Sequence, residues 1–415
     1  MSKKILVLAE TIDVNASSAG KANMGFVNAL VHNDHEVAVL HFSHKIVHIK
    51  GASTTLIKEL KTDPFYWLSR LQRVLQRLTG KNFSVPLENK FGFSFTFKND
   101  ANSMVAAVKK MRGDFNLVIT LSKAASFRTH AALLLLPDLH AKWLAYVHDP
   151  YPFHLYPPPY HWIEAGYEQK EAFFRAVSEK AAFSGFPSLL LKEWMGQYFP
   201  NFLKTGIILP HQNINTKLKA VAIPDYLEVQ KFSIMHAGSL LDHRNPFPLI
   251  EGFQKFIEKT KGAAKNSQLL LIGASQAHEP KLTKICKRLP QVYKSDGYIN
   301  YNEVQVLQKK VSVLLILEAI SEISPFLPGK FPHYISEDKP IVHLGPKKSE
   351  TRRLLGETYR YSCEAGDVIA ISEIFMELYA AWKVNNNLSL ERPDLLKYIS
   401  PEYFNKQMSK IFDCE

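Results

Sequence analysis

A histidine and an aspartate stand side by side where a predicted strand gives way to an aromatic loop. His148 and Asp149 close the apolar run WLAYVHD, and the stretch that begins there reads HDPYPFHLYPPPYHW. Rigid aromatic rings in an exposed loop suit stacking on a sugar or another flat ligand. We therefore predict His148 and Asp149 as catalytic candidates. The candidate ligand contacts in the loop are Tyr151, Phe153 and Tyr156. A lid packed on its own apolar side chains, with a structural His148, is the alternative.

Two basic side chains lie next to predicted helix starts in the second half of the chain. Arg244 follows the strand-like FSIMHAGS and precedes a helix predicted to start near Asn245–Pro246. Lys330 lies just before a helix predicted to begin at Phe331 or Pro332. Positive charge beside a helix N-terminus is suited to binding phosphate oxygens. The further phosphate-binding candidates are Gly238, Ser324 and Gly329. A solvent-facing Arg244 remains the alternative.

The loop after the first predicted strand is rich in small residues. It reads IDVNASSAGKANMG and leads into a helix, so its backbone around Gly20 would let a ligand approach closely. The dinucleotide fingerprint GxGxxG is absent from it. A simple strand-to-helix loop is an equally open interpretation.

Two series of short apolar runs, separated by helical patterns, organise the chain. Continuous apolar runs are typical of parallel strands buried on both faces, and their repetition predicts an α/β protein with two doubly wound domains. The runs are Lys4–Glu10, Glu36–Ser43, Asn116–Leu121, Trp143–Asp149, Ala181–Gly185, Gly206–Pro210, Phe232–Ser239, Gln268–Ala274, Ser312–Ala319, Pro340–Gly345 and Tyr359–Cys363. Ligands bind at the carboxyl ends of such strands, so a cleft between the domains is expected to hold the site.

Domain boundaries follow from this pattern. The prediction is an N-terminal domain over 1–210 and a C-terminal domain over 211–400, with Gln212–Val229 as the linker region. A last helix is predicted from about Pro401, with 401–415 packing back on the first domain.

Composition and charge restrict the class of protein. The 415 residues carry a net charge of +12, of which +8 falls within 1–210, as expected for a surface that meets nucleic acid, anionic lipid or a phosphorylated substrate. No apolar run approaches the ~18 residues of a membrane span, and the first residues do not resemble a secretion signal. Three distant cysteines without a CxxC pair fit a reducing cytoplasm, and no nucleic-acid-binding motif is visible.

One predicted helix combines an apolar face with a row of arginines. The segment Phe65–Lys81 places Trp67 and several leucines on one side, with Arg70, Arg73 and Arg77 on the flank. This pattern is typical of a helix lying in a membrane interface, which would hold the protein at the inner face of a membrane. The alternative is an ordinary surface helix that buries its apolar face in the first domain.

Together these motifs resemble the GT-B glycosyltransferases, and glycosyltransferase family 4 in particular. The matching pieces are SSAGKANMGF, YVHDPYP, IILPH, HAGSLLDHRNPFPLIEGF, LLLIGAS and PGKFPHYISEDKPIVHLGP, spread over roughly 4–345. The resemblance implies retaining transfer from a UDP- or GDP-sugar, without a metal or another cofactor, to a glycan or lipid-linked acceptor. It implies that Arg244 and Lys330 hold the donor diphosphate and that His148 faces the donor sugar. The remaining donor-site residues that it implies are Gly20, Gly297, Tyr298 and His333.

Two departures from the family pattern bear on activity. The arginine that usually follows the glycine matching Gly238 is absent, because Ser239 and two leucines occupy that region. His333 stands where the family has the glutamate that holds the ribose, and imidazole cannot accept two hydroxyl hydrogens as a carboxylate does. The main hypothesis is a glycosyltransferase of surface polysaccharide or glycoconjugate assembly. The alternatives are an inactive homologue that acts as a scaffold, and another GT-B enzyme such as an epimerase.

Overall fold

A computed structural model describes residues 2–111, 113–160, 162–214 and 221–413 of the chain. Within the segments singled out above, His161, Cys414 and the part of the linker at 215–220 lie outside the described residues. The chain divides into two compact units. Unit 1 comprises 1–156, 160–215 and 399–415, and unit 2 comprises 157–159 and 216–398.

Unit 1 is built on a seven-stranded parallel sheet. Its strands are β1 (Lys4–Ala9), β2 (Glu36–His41), β3 (Ala52–Leu56), β4 (Leu117–Leu121), β5 (Trp143–Tyr146), β6 (Phe183–Phe186) and β7 (Gly206–Ile208). Its helices are α1 (Ser18–His32), α2 (Pro64–Thr79), α3 (Ser84–Phe91), α4 (Phe95–Lys110), α5 (Arg128–Leu134), α6 (Tyr167–Lys180), α7 (Leu189–Tyr198) and α8 (Asn201–Thr205). Short 3-10 helices cover Ala124–Ser126, Pro137–Lys142 and Phe153–Leu155. The strand order is β3-β2-β1-β4-β5-β6-β7.

Unit 2 repeats this plan with a six-stranded parallel sheet and a small two-stranded ladder. Its strands are β8 (Phe232–Ala237), β9 (Ser267–Ile272), β10 (Val292–Lys294), β11 (Val313–Leu317), β12 (Ile323–Ser324), β13 (Ile341–Leu344), β14 (Lys348–Ser349) and β15 (Ser362–Cys363). Its helices are α9 (Phe247–Lys259), α10 (Ala263–Asn266), α11 (Glu279–Arg288), α12 (Tyr301–Lys310), α13 (Phe331–Ser336), α14 (Glu350–Leu355), α15 (Val368–Val384) and α16 (Pro393–Tyr398). The sheet order is β10-β9-β8-β11-β13-β15, and β12 pairs with β14.

The last helix, α17 (Pro401–Phe412), belongs to unit 1. Its buried Phe404 meets the ring of Phe26 on α1 edge to face at 4.9 Å. The side-chain amide of Asn33 also donates a hydrogen bond to the backbone carbonyl of Pro401 at 3.0 Å. The helix is thereby held to the first unit by apolar burial and by a polar contact at its start.

Each unit has its own apolar core, and the central strands explain why. All five residues of β4 and of β11 are buried, since helices cover both faces of each sheet. The prediction of two doubly wound α/β units is therefore confirmed. The strands missed were β3, β10 and the β12–β14 ladder, and the run Tyr359–Cys363 forms a strand only over its last two residues.

Candidate functional site

The carboxyl end of β8 in unit 2 brings together the basic side chains predicted to bind phosphate. Gly238 follows β8 with a φ of +149°, a backbone conformation that favours glycine. A methyl group on this glycine would lie 2.7 Å from the Lys330 Nζ and 3.7 Å from the His236 Nε2. The absence of a side chain therefore leaves room for the Lys330 ammonium directly over the end of the strand.

His236 is fully buried beneath this lysine. Its Nδ1 lies 3.3 Å from the backbone carbonyl of Leu315, so the neutral ring donates from Nδ1 and presents the Nε2 lone pair. The Nε2 has no hydrogen-bond partner among the described residues. Burial, together with the charges of Lys330 and Arg244, holds the pKa of His236 well below its ordinary value. The strand end therefore combines a neutral imidazole with two cations.

Arg244 approaches the same strand end from the loop before α9. Its guanidinium donates to the backbone carbonyl of Ser239 at 3.1 Å, and its backbone N–H donates to the carbonyl of Leu241 at 2.8 Å. These bonds fix the arginine within the loop that leaves β8. Arg244 is partly exposed, and its role toward a phosphate stays a prediction.

A buried polar cluster lies at the neighbouring strand end. Glu318 follows β11, and its carboxylate accepts hydrogen bonds from Ser349 at 3.1 Å and Thr351 at 2.9 Å. His343 Nε2 lies 3.3 Å from the second carboxylate oxygen. Burial raises the pKa of Glu318, but the charge of His343 and these hydrogen bonds outweigh it and leave the pKa below its ordinary value. This cluster ties β11 and β13 to the start of α14.

The other predicted donor residues of unit 2 occupy nearby loops and helices. Ser324 is buried in β12 and paired with Ser349, whereas Gly329 is exposed immediately before Lys330. His333 on α13 lies 5.8 Å from the ring of Tyr301, and its Nδ1 is 3.5 Å from the Gln305 amide. The His333 side chain is thus held against α12.

The loop after β10 contains the remaining pair of donor candidates. Gly297 forms an isolated antiparallel bridge with Gly273, and the Ser295 hydroxyl binds both backbones. Tyr298 is 57% exposed. Stacking of this ring on a base, as the resemblance implies, stays a prediction.

Gly20 lies in unit 1, away from the other donor candidates along the chain. It is buried at the start of α1, where the Ser17 hydroxyl accepts a hydrogen bond from its N–H at 3.1 Å. A Cβ at this position would lie 2.1 Å from the backbone carbonyl of Asp13. The close approach of the loop backbone therefore accounts for the glycine, while its role toward a ligand stays a prediction.

His148 and Asp149 follow β5 in unit 1. The ring of His148 packs edge to face on Tyr146 at 4.7 Å and lies parallel to His211 at 6.1 Å. Burial and the charges of His211 and His130 hold the pKa of His148 well below its ordinary value, so its ring is neutral near pH 7. Burial raises the pKa of Asp149 to about 6.

The aromatic loop divides into a buried and a half-buried part. Tyr151 is buried in the core of unit 1, where the centroid of its ring lies 4.9 Å from that of Phe127 and 5.2 Å from that of Phe174. This burial argues against direct contact between Tyr151 and an acceptor. Phe153 and Tyr156 are half-buried. Both rings pack on the exposed Trp162, at 5.0 and 5.6 Å. Much of the loop is therefore packed on its own side chains.

The apolar face of α2 is exposed. Trp67 is 65% exposed and Leu78 is 78% exposed, so the alternative in which this helix buries its apolar face is wrong. Arg70 pairs with Glu59 at 3.3 Å, Arg73 donates to the Ser69 carbonyl at 3.1 Å, and Arg77 is exposed.

Sequence reasoning missed His236 and the Glu318 cluster. Both lie at the ends of apolar runs that were interpreted only as strands, and the signal was a polar residue as a buried strand ends. Among the described residues, no group of three or more His, Cys, Asp or Glu side chains is arranged to hold a metal ion. In the same residues, no helix is long and apolar enough to cross a membrane.

Comparison with solved structures identifies the fold. Anabaena HepE, in complex with UDP and glucose, matches with a TM-score of 0.62 at 12% identity over 100% of both chains. An α,α-trehalose-phosphate synthase (UDP-forming) from Burkholderia xenovorans, in complex with glucose-6-phosphate, has a TM-score of 0.62 at 11% identity over 99% of both chains. An E. coli structure bound with UDP-2-fluoro glucose has a TM-score of 0.61 at 11% identity over 98% of both chains.

These similarities extend over the whole chain, and the structures are GT-B glycosyltransferases, so the predicted GT-B fold is confirmed. No protein-family profile matches the chain, and no curated protein matches it either. At 11–12% identity the likeness establishes the fold alone.

Proposed function

We propose that the protein is a glycosyltransferase that uses a nucleoside-diphosphate sugar, and that unit 2 binds the donor. The observation that carries the proposal is the position of the Lys330 ammonium over Gly238, at the carboxyl end of a central strand. Ligands of doubly wound sheets bind at this edge. Arg244 in the adjacent loop adds a second cation, and a guanidinium forms strong hydrogen bonds with phosphate oxygens.

The basic groups favour a mechanism in which the protein itself stabilises the leaving diphosphate. As the bond between the sugar and the phosphate breaks, negative charge grows on the phosphate oxygens, and Lys330 and Arg244 would stabilise it. We propose retaining transfer without a metal, as the resemblance to family 4 implies. The solved structures with UDP or UDP-2-fluoro glucose make a UDP-sugar the first donor to test, with a GDP-sugar second.

The acceptor is proposed to be a glycan or a lipid-linked saccharide bound by unit 1, in surface polysaccharide or glycoconjugate assembly in the cytoplasm. Half-buried Phe153 and Tyr156 and exposed Trp162 offer aromatic faces to a sugar ring. His148 and Asp149 are the candidates for contact with the reacting groups. Since the His148 ring is neutral near pH 7, it would act as a hydrogen-bonding group rather than as a cation.

A nucleotide-binding panel tests the donor site. UDP, GDP, ADP and CMP are added without metal, and the unfolding temperature of the protein is measured. We expect one nucleoside diphosphate to raise it. Lys330→Ala and Arg244→Ala should each weaken that nucleotide's binding by about 10- to 100-fold, the usual loss for a charged hydrogen bond.

Two exposed basic residues of α11 provide matched controls, Lys287→Ala and Arg288→Ala. These variants remove the same charges from the same unit and should bind as the wild type does. If all four variants lose affinity equally, general electrostatic attraction explains the binding and the proposed site is wrong.

An inactive GT-B scaffold is the second candidate, and the observation that favours it is His333. Its ring is held against Tyr301 and Gln305 where the family pattern has a ribose-binding glutamate. His333→Glu separates the two candidates. A gain in nucleotide affinity would favour a donor site with altered ribose contacts. Binding of no nucleotide by either protein would favour the scaffold.

A further inference from the structure

Helix α2 is oriented with its polar side toward the protein and its apolar side toward solvent. Surface helices normally bury their apolar stripe. Here the face toward unit 1 carries buried Ser69 and half-buried Gln72 and Gln76, whose amides donate to Ser84 and Asn82. The outward side chains, all between 39% and 78% exposed, are Trp67, Leu68, Leu71, Val74, Leu75 and Leu78.

This orientation is fixed by contacts at the start of the helix. Asp63 caps α2 by accepting a hydrogen bond from the backbone N–H of Phe65 at 2.7 Å, and its other oxygen accepts one from the Asn102 amide, also at 2.7 Å. The ring of Phe65 stacks at 6.0 Å on Phe95 of α4. The helix therefore cannot turn its apolar stripe inward without breaking these bonds.

The charge on α2 has one sign. The helix contains Arg70, Arg73 and Arg77 and no carboxylate, and the arginines follow one edge of the apolar stripe. On a helix, positions three and four residues apart lie on one side, so the three guanidiniums form a row beside the stripe. A row of arginines next to an apolar surface matches a layer of anionic headgroups above acyl chains.

We propose that the outward face of α2 docks the protein on an anionic phospholipid surface. Trp67 and the leucines would enter the interface between headgroups and acyl chains, and the arginines would remain at the phosphates. A second copy of the chain is a poorer occupant, because it would bring the same arginines and no carboxylate on its own α2 to pair with them. The inference does not depend on the proposed donor site.

Vesicle co-sedimentation without nucleotide tests the proposal. The protein is mixed with vesicles of phosphatidylcholine alone or with added phosphatidylglycerol. We expect binding that increases with phosphatidylglycerol and falls with salt. A triple variant, Trp67→Gln/Leu71→Gln/Leu78→Gln, should partition onto the vesicles at least about tenfold more weakly than the wild type. Replacing each arginine with Gln should lower it roughly fivefold on the anionic vesicles.

The matched control replaces three exposed apolar residues of unit 2, Ile320→Gln/Ile369→Gln/Val384→Gln, and should bind as the wild type does. Because the α2 side chains are exposed, their loss removes little packing, and unchanged unfolding temperatures would show that the variants fold. The proposal is overturned if the wild-type protein does not bind anionic vesicles. It is also overturned if the wild-type protein does not bind vesicles and light scattering shows that it forms a dimer that only the α2 variant disrupts.

Brominated phosphatidylcholine in the anionic vesicles locates Trp67. Bromine quenches indole fluorescence at short range, so quenching should be clear in the wild type and much weaker in Trp67→Phe, which keeps the apolar contact and still binds. Equal quenching in the two proteins would mean that another tryptophan meets the membrane and that α2 is not the docking surface.

Discussion

Asp149 has a carboxyl group whose ionisation is opposed by burial in unit 1. Its pKa rises from 3.8 to about 6, so the folded state holds this proton more tightly than the unfolded chain does. The stability that it contributes therefore falls as the pH rises from about 4 to 6, and above that range a partly buried charge remains as a constant penalty.

This sign predicts that Asp149→Asn stabilises the protein near neutrality. The gain should be about 1–3 kcal/mol at pH 7, since each unit of pKa shift corresponds to about 1.4 kcal/mol, and it should vanish near pH 4. Urea unfolding at the two pH values measures it. Asp138→Asn removes an exposed carboxylate from the same unit as the control. An equal effect of Asp149→Asn at both pH values would rule out the proposed ionisation.

The position of a charged residue was predictable where it follows the end of a parallel strand. Arg244 and Lys330 were expected near one edge of a sheet, and Lys330 indeed lies beside Gly238. Their role toward a phosphate stays a prediction. His236 was not found, because the apolar run that contains it was interpreted only as a strand, and the polar side chain near the end of that run was not followed up. The burial of Tyr151 was not predicted from its place in the aromatic loop, because its packing depends on Phe127 and Phe174, which are distant in sequence.

At the scale of elements, the orientation of helix α2 and the edge strand β3 were not predicted. The pattern of α2 fixes an amphipathic helix but not which side faces the protein, and contacts with α4 and α3 decide that. Strand β3 reads ASTTL and pairs only with β2, so it lacks the continuous apolar run of a central strand. The central strands were predictable because burial on both faces of the sheet requires a continuous run of apolar residues.

Helix α17 provides a test of how one element supports unit 1. Phe404 is fully buried and packs on Phe26, whereas Lys406 on the same helix is exposed. Phe404→Ala should lower the free energy of unfolding of unit 1 by about 3–5 kcal/mol, the usual cost of deleting a buried aromatic ring. Chemical denaturation measures it, with Lys406→Ala as the control. A loss below about 1 kcal/mol would mean that α17 contributes little to this unit.

On the scale of the whole molecule, each unit has an apolar core of its own among the described residues. One buried cluster lies within unit 2 and the other within unit 1. Proteins with separate cores commonly unfold in more than one step, so a ligand that binds one unit stabilises that unit first. The donor proposal therefore makes a prediction about which part of the chain responds to nucleotide.

Hydrogen exchange with and without the nucleoside diphosphate selected by the panel gives the readout. At a concentration a hundred times the Kd, the ligand adds about 2.7 kcal/mol to the unit that binds it. Protection should therefore rise in unit 2, most strongly in 236–246 and 326–334, where His236, Arg244 and Lys330 lie. Lys330→Ala should lose that gain and Phe404→Ala should keep it. Protection that rises instead around Gly20 and His148 would move the nucleotide site to unit 1 and contradict the proposed assignment of donor binding.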